Sequence, residues 1–195
     1  MHGLINRSIQ CFLRDTYGAD TWTAVAREAR LGLDNFEPML TYDPALTDAM
    51  LDAAAHLLDR PREAILEDLG TYLVSHPNLE ALRRLLRFSG VGFRDFLHSL
   101  EDMQGRGRLA VPDLNLPDLE LFDHAPDFYT LRCVSKIAGV GHVIMGLLRA
   151  MADDYGALVL LDHQGSGPEG EVISISLLET GFAEGRPFDL AVRAG

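Results

Sequence analysis

Phe93-Arg94-Asp95-Phe96-Leu97-His98-Ser99-Leu100-Glu101-Asp102-Met103-Gln104 decides how the rest of the chain is read. Phe93, Phe96, Leu97, Leu100 and Met103 recur at three- and four-residue spacing, the period that stacks side chains on one face of an α-helix. Gln104 follows Leu100 by four and Leu97 by seven, so an ideal helix places its neutral amide on the apolar stripe. A polar group on a core-facing stripe marks a candidate site, because a buried amide is kept where it has a partner.

Upstream, the same period recurs. Leu4, Ile5, Ile9, Phe12 and Leu13 predict a helix to Tyr17, with Gly18 as its stop. Asp20 or Thr21 is placed to cap a helix over Trp22–Leu31, ended by Gly32. Pro44 suits a first helical position, opening a helix that runs to Arg60-Pro61, and Pro61 opens another that breaks at His76-Pro77. Asn78 is placed to cap Leu79–Phe88, and Ser89-Gly90 with Gly92 punctuate before Phe93.

Downstream, Gly105-Arg106-Gly107-Arg108 reads as a turn at a boundary, with an anion clamp as its less expected alternative. A proline-marked stretch with Pro112 and Pro117 follows, then candidate strands around Leu119–Asp123 and Phe128–Ser135. A helix from Val140 to Tyr155 stops at Gly156. Strands over Ala157–Leu161 and Glu171–Leu178 are joined by turn-type residues His163 to Gly170, and Phe188–Val192 is a candidate edge strand. The fold class is α+β, with an N-terminal helical subdomain (1–65) packed on a helix plus antiparallel-sheet subdomain (66–195) in a single domain.

The 195 residues carry 29 acidic and 17 basic side chains, a net charge of −12, which excludes nucleic-acid binding driven by bulk charge. Hydrophobic residues make up 47%, enough for a real core. Cys11 and Cys133 form no disulfide framework, and no run approaches the roughly 20 apolar residues of a membrane span. A cytoplasmic protein with no membrane partner is expected. There is no phosphate loop, nucleophile elbow or zinc-protease helix, and no two of His2, His56, His76, His98, His124, His142 and His163 are four apart. The expectation is that the chain is not an enzyme.

Met1-His2-Gly3-Leu4-Ile5-Asn6, Tyr17-Gly18 and Trp22 resemble the opening of the H-NOX family, the haem-nitric oxide/oxygen binding domains that include the sensory domain of soluble guanylate cyclase. Phe96 to Gln104 resembles the family helix that ends in its proximal histidine, with Pro112 and Pro117 where the following prolines belong. Leu131 to Gly156 resembles the Tyr-x-Ser-x-Arg motif and the helix after it. The resemblance covers Met1 to Gly156 and implies the H-NOX fold, a haem cofactor and nitric oxide sensing in signal transduction.

The departures fall at the haem site. The proximal histidine's position is Gln104, and the Tyr-x-Ser-x-Arg motif is reduced to Cys133-x-Ser135-x-Ile137. An amide oxygen is a weak, hard donor to ferrous iron, and a propionate beside Ile137 loses its charged partner. If Cys133, Ser135 and Ile137 face the pocket along a strand, alternation turns Arg132 and Lys136 away. His98 lies about 240° around the helix from Gln104. The resemblance places Ile5, Val74, Val143 and Leu147 along an apolar pocket and Pro117 against the porphyrin plane. Val143, aligned with a hydrogen-bonding tyrosine of oxygen-binding members, implies nitric oxide or carbon monoxide over oxygen.

The expected function is a stand-alone sensory or regulatory module with a degenerate haem site, acting on a separate signalling protein such as a histidine kinase or a cyclic-di-GMP enzyme. Two alternatives remain open. One is a haem gas sensor with a substituted ligand, such as His142 or His124 reached by rearrangement or a water held by Gln104; the other is a pocket for another hydrophobic ligand.

Overall fold

In the computed structural model, which describes residues 1–88 and 90–188, helices α1 (Gly3–Tyr17), α2 (Ala19–Glu28), α3 (Pro44–Leu58) and α4 (Arg62–Ser75) come first. Helices α5 (Glu80–Arg87), α6 (Phe93–His98) and α7 (Met103–Ala110) come next, then strands β1 (Asp118–Ala125) and β2 (Phe128–Val134), helix α8 (Val140–Tyr155) and strands β3 (Leu158–Gly167) and β4 (Gly170–Glu179). The four strands form an antiparallel sheet in the order β1-β2-β4-β3, so the architecture is mixed α and β, helical first and sheet-bearing last.

Caps and proline positions explain several helix starts. The His2 ring accepts from the Leu4 N–H at 3.2 Å to open α1, and the Asp43 carboxylate accepts from the Ala45 N–H at 2.9 Å to open α3 on Pro44. Asp95 accepts from the Val91 and Gly92 N–H groups ahead of α6, both at 3.1 Å. Two expected caps are corrected. Gly18, not Asp20 or Thr21, caps α2, because Thr21 Oγ1 instead bonds back to the Tyr17 carbonyl at 2.7 Å. That helix ends at Glu28, and Arg30 turns left-handed (φ 50°) ahead of Gly32. Ahead of α5 the His76 ring, not Asn78, is the capping acceptor, through a 3-10 turn at Pro77–Leu79.

Two layers of core meet along α4. Ile65, Leu66, Leu69 and Tyr72 pack with α1–α3 around Phe12, Leu13, Phe36 and Met50. Val74 belongs to the second cluster, where α6 and α8 cover the sheet's inner residues Tyr129, Leu131, Cys133, Ile173, Ile175 and Leu177. Helices α4 and α8 cross at close range because each carries a glycine at the contact. A Cβ on Gly70 would stand 2.0 Å from the Val143 carbonyl oxygen, and one on Gly146 would stand 1.9 Å from that of Glu67.

The strands depart from expectation in one place. Residues 163–167 are not turn but a continuation of β3, with Ser166 opposite Glu171, a register shift between His163 and Ser166, and Gly165 at φ 101°. A bulge on an exposed strand tolerates the glycine and polar residues that otherwise read as a loop. The expected strand Phe188–Val192 lies outside the described residues except for Phe188, which is not in a strand.

Candidate functional site

An apolar cavity of about 340 Å³ lies where the two layers meet. From the first layer, Leu4, Ile5 and Ile9 of α1 and Leu66, Leu69 and Leu73 of α4 face it. Val140, Val143, Ile144 and Leu147 of α8 form the opposite wall, and Leu82, Leu85 and Leu86 of α5 a side. Met103, Arg106, Gly107 and Ala110 of α7 close another side, continued by Leu114, Asn115, Leu116 and Pro117. Ile137 reaches it from the turn before α8. The cavity therefore collects Ile5, Pro117, Ile137, Val143 and Leu147 of the residues singled out in the sequence.

Gln104, Val74, Cys133 and Ser135 do not line it, each for a local reason. The helix expected to run from Phe93 to Gln104 is interrupted. Ser99 donates through Oγ to the Phe96 carbonyl at 2.7 Å, and Leu100–Asp102 tightens into a 3-10 turn before α7 begins at Met103. A 3-10 turn advances about 120° per residue against 100° in an α-helix, so three residues rotate the start of α7 by roughly 60°. Gln104 leaves the stripe and donates its amide to the Leu116 carbonyl at 3.3 Å. The glycine–arginine stretch, expected as a turn, is part of α7. Gly107 packs closely on Leu116, whose terminal methyl a Cβ would meet at 2.6 Å and push aside.

Alternation fails beyond β2 because the strand ends at Val134. Cys133 faces the buried side of the sheet, where burial and the Glu171 carboxylate push its thiol up to about 12, so it stays a neutral thiol at physiological pH. Ser135 is exposed and its Oγ accepts from the Ile137 N–H at 3.1 Å, a local turn that leaves Ile137 facing the cavity. Arg132 is on the outer face, paired with Glu120 and Glu169. Val74 is buried in the second core layer.

No histidine among the described residues lines the cavity. His98 is exposed against Tyr129, and His124 is exposed and bonded to Thr130 Oγ1 at 2.8 Å. His142 is stacked on His163 with ring centroids 4.3 Å apart, and His163 Nε2 lies 3.0 Å from Glu171. Sequence reasoning missed this cluster. Its anchor is Glu171, a buried carboxylate that accepts from the backbone N–H groups of Gly139 and Gly141 at 2.9 and 3.0 Å, tying β4 to the first turn of α8. A glutamate at the start of a strand carries no periodic signal of such a role.

The sequence profile described as Haem-NO-binding (HNOB) matches residues 2–163. The chain belongs to the H-NOX family. This H-NOX chain is 23% identical over 154 residues to soluble guanylate cyclase gcy-31 of Caenorhabditis elegans, covering 79% of this chain and 22% of that protein. It is 23% identical over 158 residues to soluble guanylate cyclase 89Db of Drosophila melanogaster, covering 80% and 23%. The matched part thus spans under a quarter of the curated relatives' length. Among solved structures, an H-NOX protein from S. oneidensis in the Fe(II) ligation state superposes with a TM-score of 0.78 at 16% identity, covering 92% of this chain and 97% of that one. The I5F mutant of T. tengcongensis H-NOX gives 0.75 at 15% identity, covering 92% and 99%. These likenesses show the H-NOX fold.

Tested against the haem that the family name implies, the lining of this H-NOX domain fits in polarity, and Met103 is the one side chain among the described lining residues of a type that ligates haem iron. The lining offers iron no imidazole among the described residues, and the amide of Gln104 is directed to Leu116. No group of three or more histidine, cysteine or acidic side chains suited to a metal occurs among the described residues, and no described helix is long and apolar enough to cross a membrane.

The surroundings of His142 are expected to make stability pH-dependent. Burial, then the neighbouring His163, lowers the His142 pKa, against opposing pulls from Glu171 and Glu63. A histidine whose folded pKa is below its unfolded value, about 6.5, contributes stability that is whole above that pH and is lost as pH falls below it. Thermal unfolding followed from pH 7.5 to 5.0 is expected to show a smaller loss of Tm in His142→Gln than in the parent. Equal losses would remove His142 from this role.

Proposed function

We propose that this chain is an H-NOX sensory or regulatory module that does not hold a histidine-ligated haem, and that it acts on a signalling protein of the histidine kinase or cyclic-di-GMP enzyme class. The observation that carries this reading is the cavity lining, with no imidazole among the described residues and the Gln104 amide donating to Leu116. The cavity lies between two core layers that share α4, so a ligand binding there in only one arrangement of α4 and α8 shifts the balance between them. The acidic surface suits a partner with a basic patch.

A second reading, haem on a substituted ligand, has one observation in its favour. The thioether of Met103 lines the cavity, and methionine is a known axial ligand to haem iron. Neither His142 nor His124 lines the cavity, so either would serve it only after a rearrangement.

The test is ferrous haem retention after reconstitution and gel filtration, comparing the parent with Gln104→His and with Met103→His. The parent is expected to lose haem and at least one of the variants to retain severalfold more. A parent that keeps haem as well as both variants would overturn the proposal, and loss of that haem in Met103→Leu would establish the second reading.

A further inference from the structure

The cavity wall offers a ligand almost nothing to hydrogen-bond. Ser8, Arg106 and Asn115 are the only described lining residues whose side chains carry nitrogen or oxygen. The Ser8 hydroxyl donates to the Leu4 carbonyl at 2.9 Å within α1. Arg106 carries its guanidinium to the Ser99 carbonyl, outside the lining, so what it gives the wall is its methylene stem. Asn115 is exposed to solvent, and the Leu116 carbonyl beside it is taken by the Gln104 amide at 3.3 Å. The rest of the wall is aliphatic, with the soft thioether of Met103 and no aromatic ring among the described lining residues. Leu85 of α5 and Ala110 of α7 line the cavity and are exposed, which opens it to the surface between those helices.

We infer that the cavity binds a compact uncharged lipophile of about ten to twelve carbons, with its skeleton between α1, α4 and α8. This rests on the reading that haem does not take the cavity. Polarity follows from the wall. A charged group brought in would shed its hydration with no partner to replace it, and a hydroxyl would lose its hydrogen bonds to water. Size follows from volume. An apolar cavity of about 150 Å³ stays dry and holds benzene. At about 340 Å³, this one has room for roughly twice as much, a two-ring molecule.

The test is equilibrium dialysis of the haem-free protein against naphthalene, benzene, 1-naphthol, 1-naphthoate and 1-naphthylmethylammonium at pH 7.5. Haem is counted on the same preparation. Naphthalene is expected to bind at one per chain and about tenfold or more tighter than benzene, because it buries more apolar surface. 1-Naphthol is expected to bind about tenfold more weakly than naphthalene, and both charged analogues at least a hundredfold more weakly. Ile5→Trp on α1 and Leu73→Trp on α4 each fill the space from one wall. Either variant, once shown to be folded by circular dichroism, is expected to lose naphthalene binding.

A charged analogue binding as well as naphthalene, naphthalene binding no tighter than benzene, a folded tryptophan variant binding as the parent does, or no binding by a haem-free parent would overturn the inference and leave the haem-independent reading standing. Stoichiometric haem on the parent would overturn both.

Discussion

Asp154→Ala is expected to lower the unfolding free energy by about 3–5 kcal/mol, a fall of roughly 6–20 °C in Tm for a chain of this size. Asp154 is fully buried in the last turn of α8, where the helix dipole disfavours a negative charge. It is kept there by Arg83, whose Nε donates at 2.8 Å, and Arg87, whose Nη1 donates to its carboxylate at 3.2 Å and to its backbone carbonyl at 2.8 Å. Arg83 also reaches the Pro187 carbonyl at 3.1 Å, so the cluster joins α5, α8 and the segment after β4. Removing the carboxylate leaves Arg87 buried without its counter-charge and Arg83 with Glu80 alone, at 3.0 Å, and that penalty exceeds the worth of the intact pair. The triple change Asp154→Leu, Arg83→Met, Arg87→Met is therefore expected to recover much of the loss. Denaturant unfolding of the single and triple variants checks both. A single variant within about 1 kcal/mol of the parent would show that water reaches the cluster.

Gly146→Ala is expected to destabilise by about 1–3 kcal/mol, although alanine is the better helix former by about 1 kcal/mol. The steric effect wins because the new methyl would meet the Glu67 carbonyl at 1.9 Å, and a backbone atom cannot turn aside as a side chain does. The helices must separate, which also moves Val143 and Leu147 on the cavity wall. Gly70→Ala makes the same demand from α4 through the Val143 carbonyl at 2.0 Å. The double variant is expected to cost less than the two singles added, since one separation serves both. A rise in Tm for either single variant would mean that propensity outweighs packing at this crossing.

Much of the architecture was legible because it follows from period and punctuation. Ile9, Phe12 and Leu13 are buried on α1 as their spacing predicts, Pro44 opens α3, and α8 runs from Val140 to a left-handed Gly156. Elements were misread where a local bond outweighs a pattern. Ser99 turns its hydroxyl onto the helix behind it and rotates Gln104 off the stripe, and the bulge after His163 hides strand residues behind turn-type side chains.

The site was legible by resemblance in its aliphatic members and not in its polar ones. Ile5, Pro117, Ile137, Val143 and Leu147 meet because they extend the faces that pack the two layers. Cys133 misses the cavity because β2 turns it into the core beneath the sheet, and Ser135 because the strand ends at Val134, before alternation carries to it. Arg106 reaches it because α7 continues through glycines that suggest a stop. The Glu171 cluster depends on residues far apart in sequence, which no local spacing reveals.

The central claim, that this H-NOX chain carries no histidine-ligated haem, is tested most directly by a pyridine haemochrome count and absorption spectrum of the protein purified from haem-supplemented cells. The expected result is a well-folded protein with haem far below one per chain and no Soret shift on adding nitric oxide. Near-stoichiometric haem whose spectrum shifts with nitric oxide and shows imidazole ligation would contradict it.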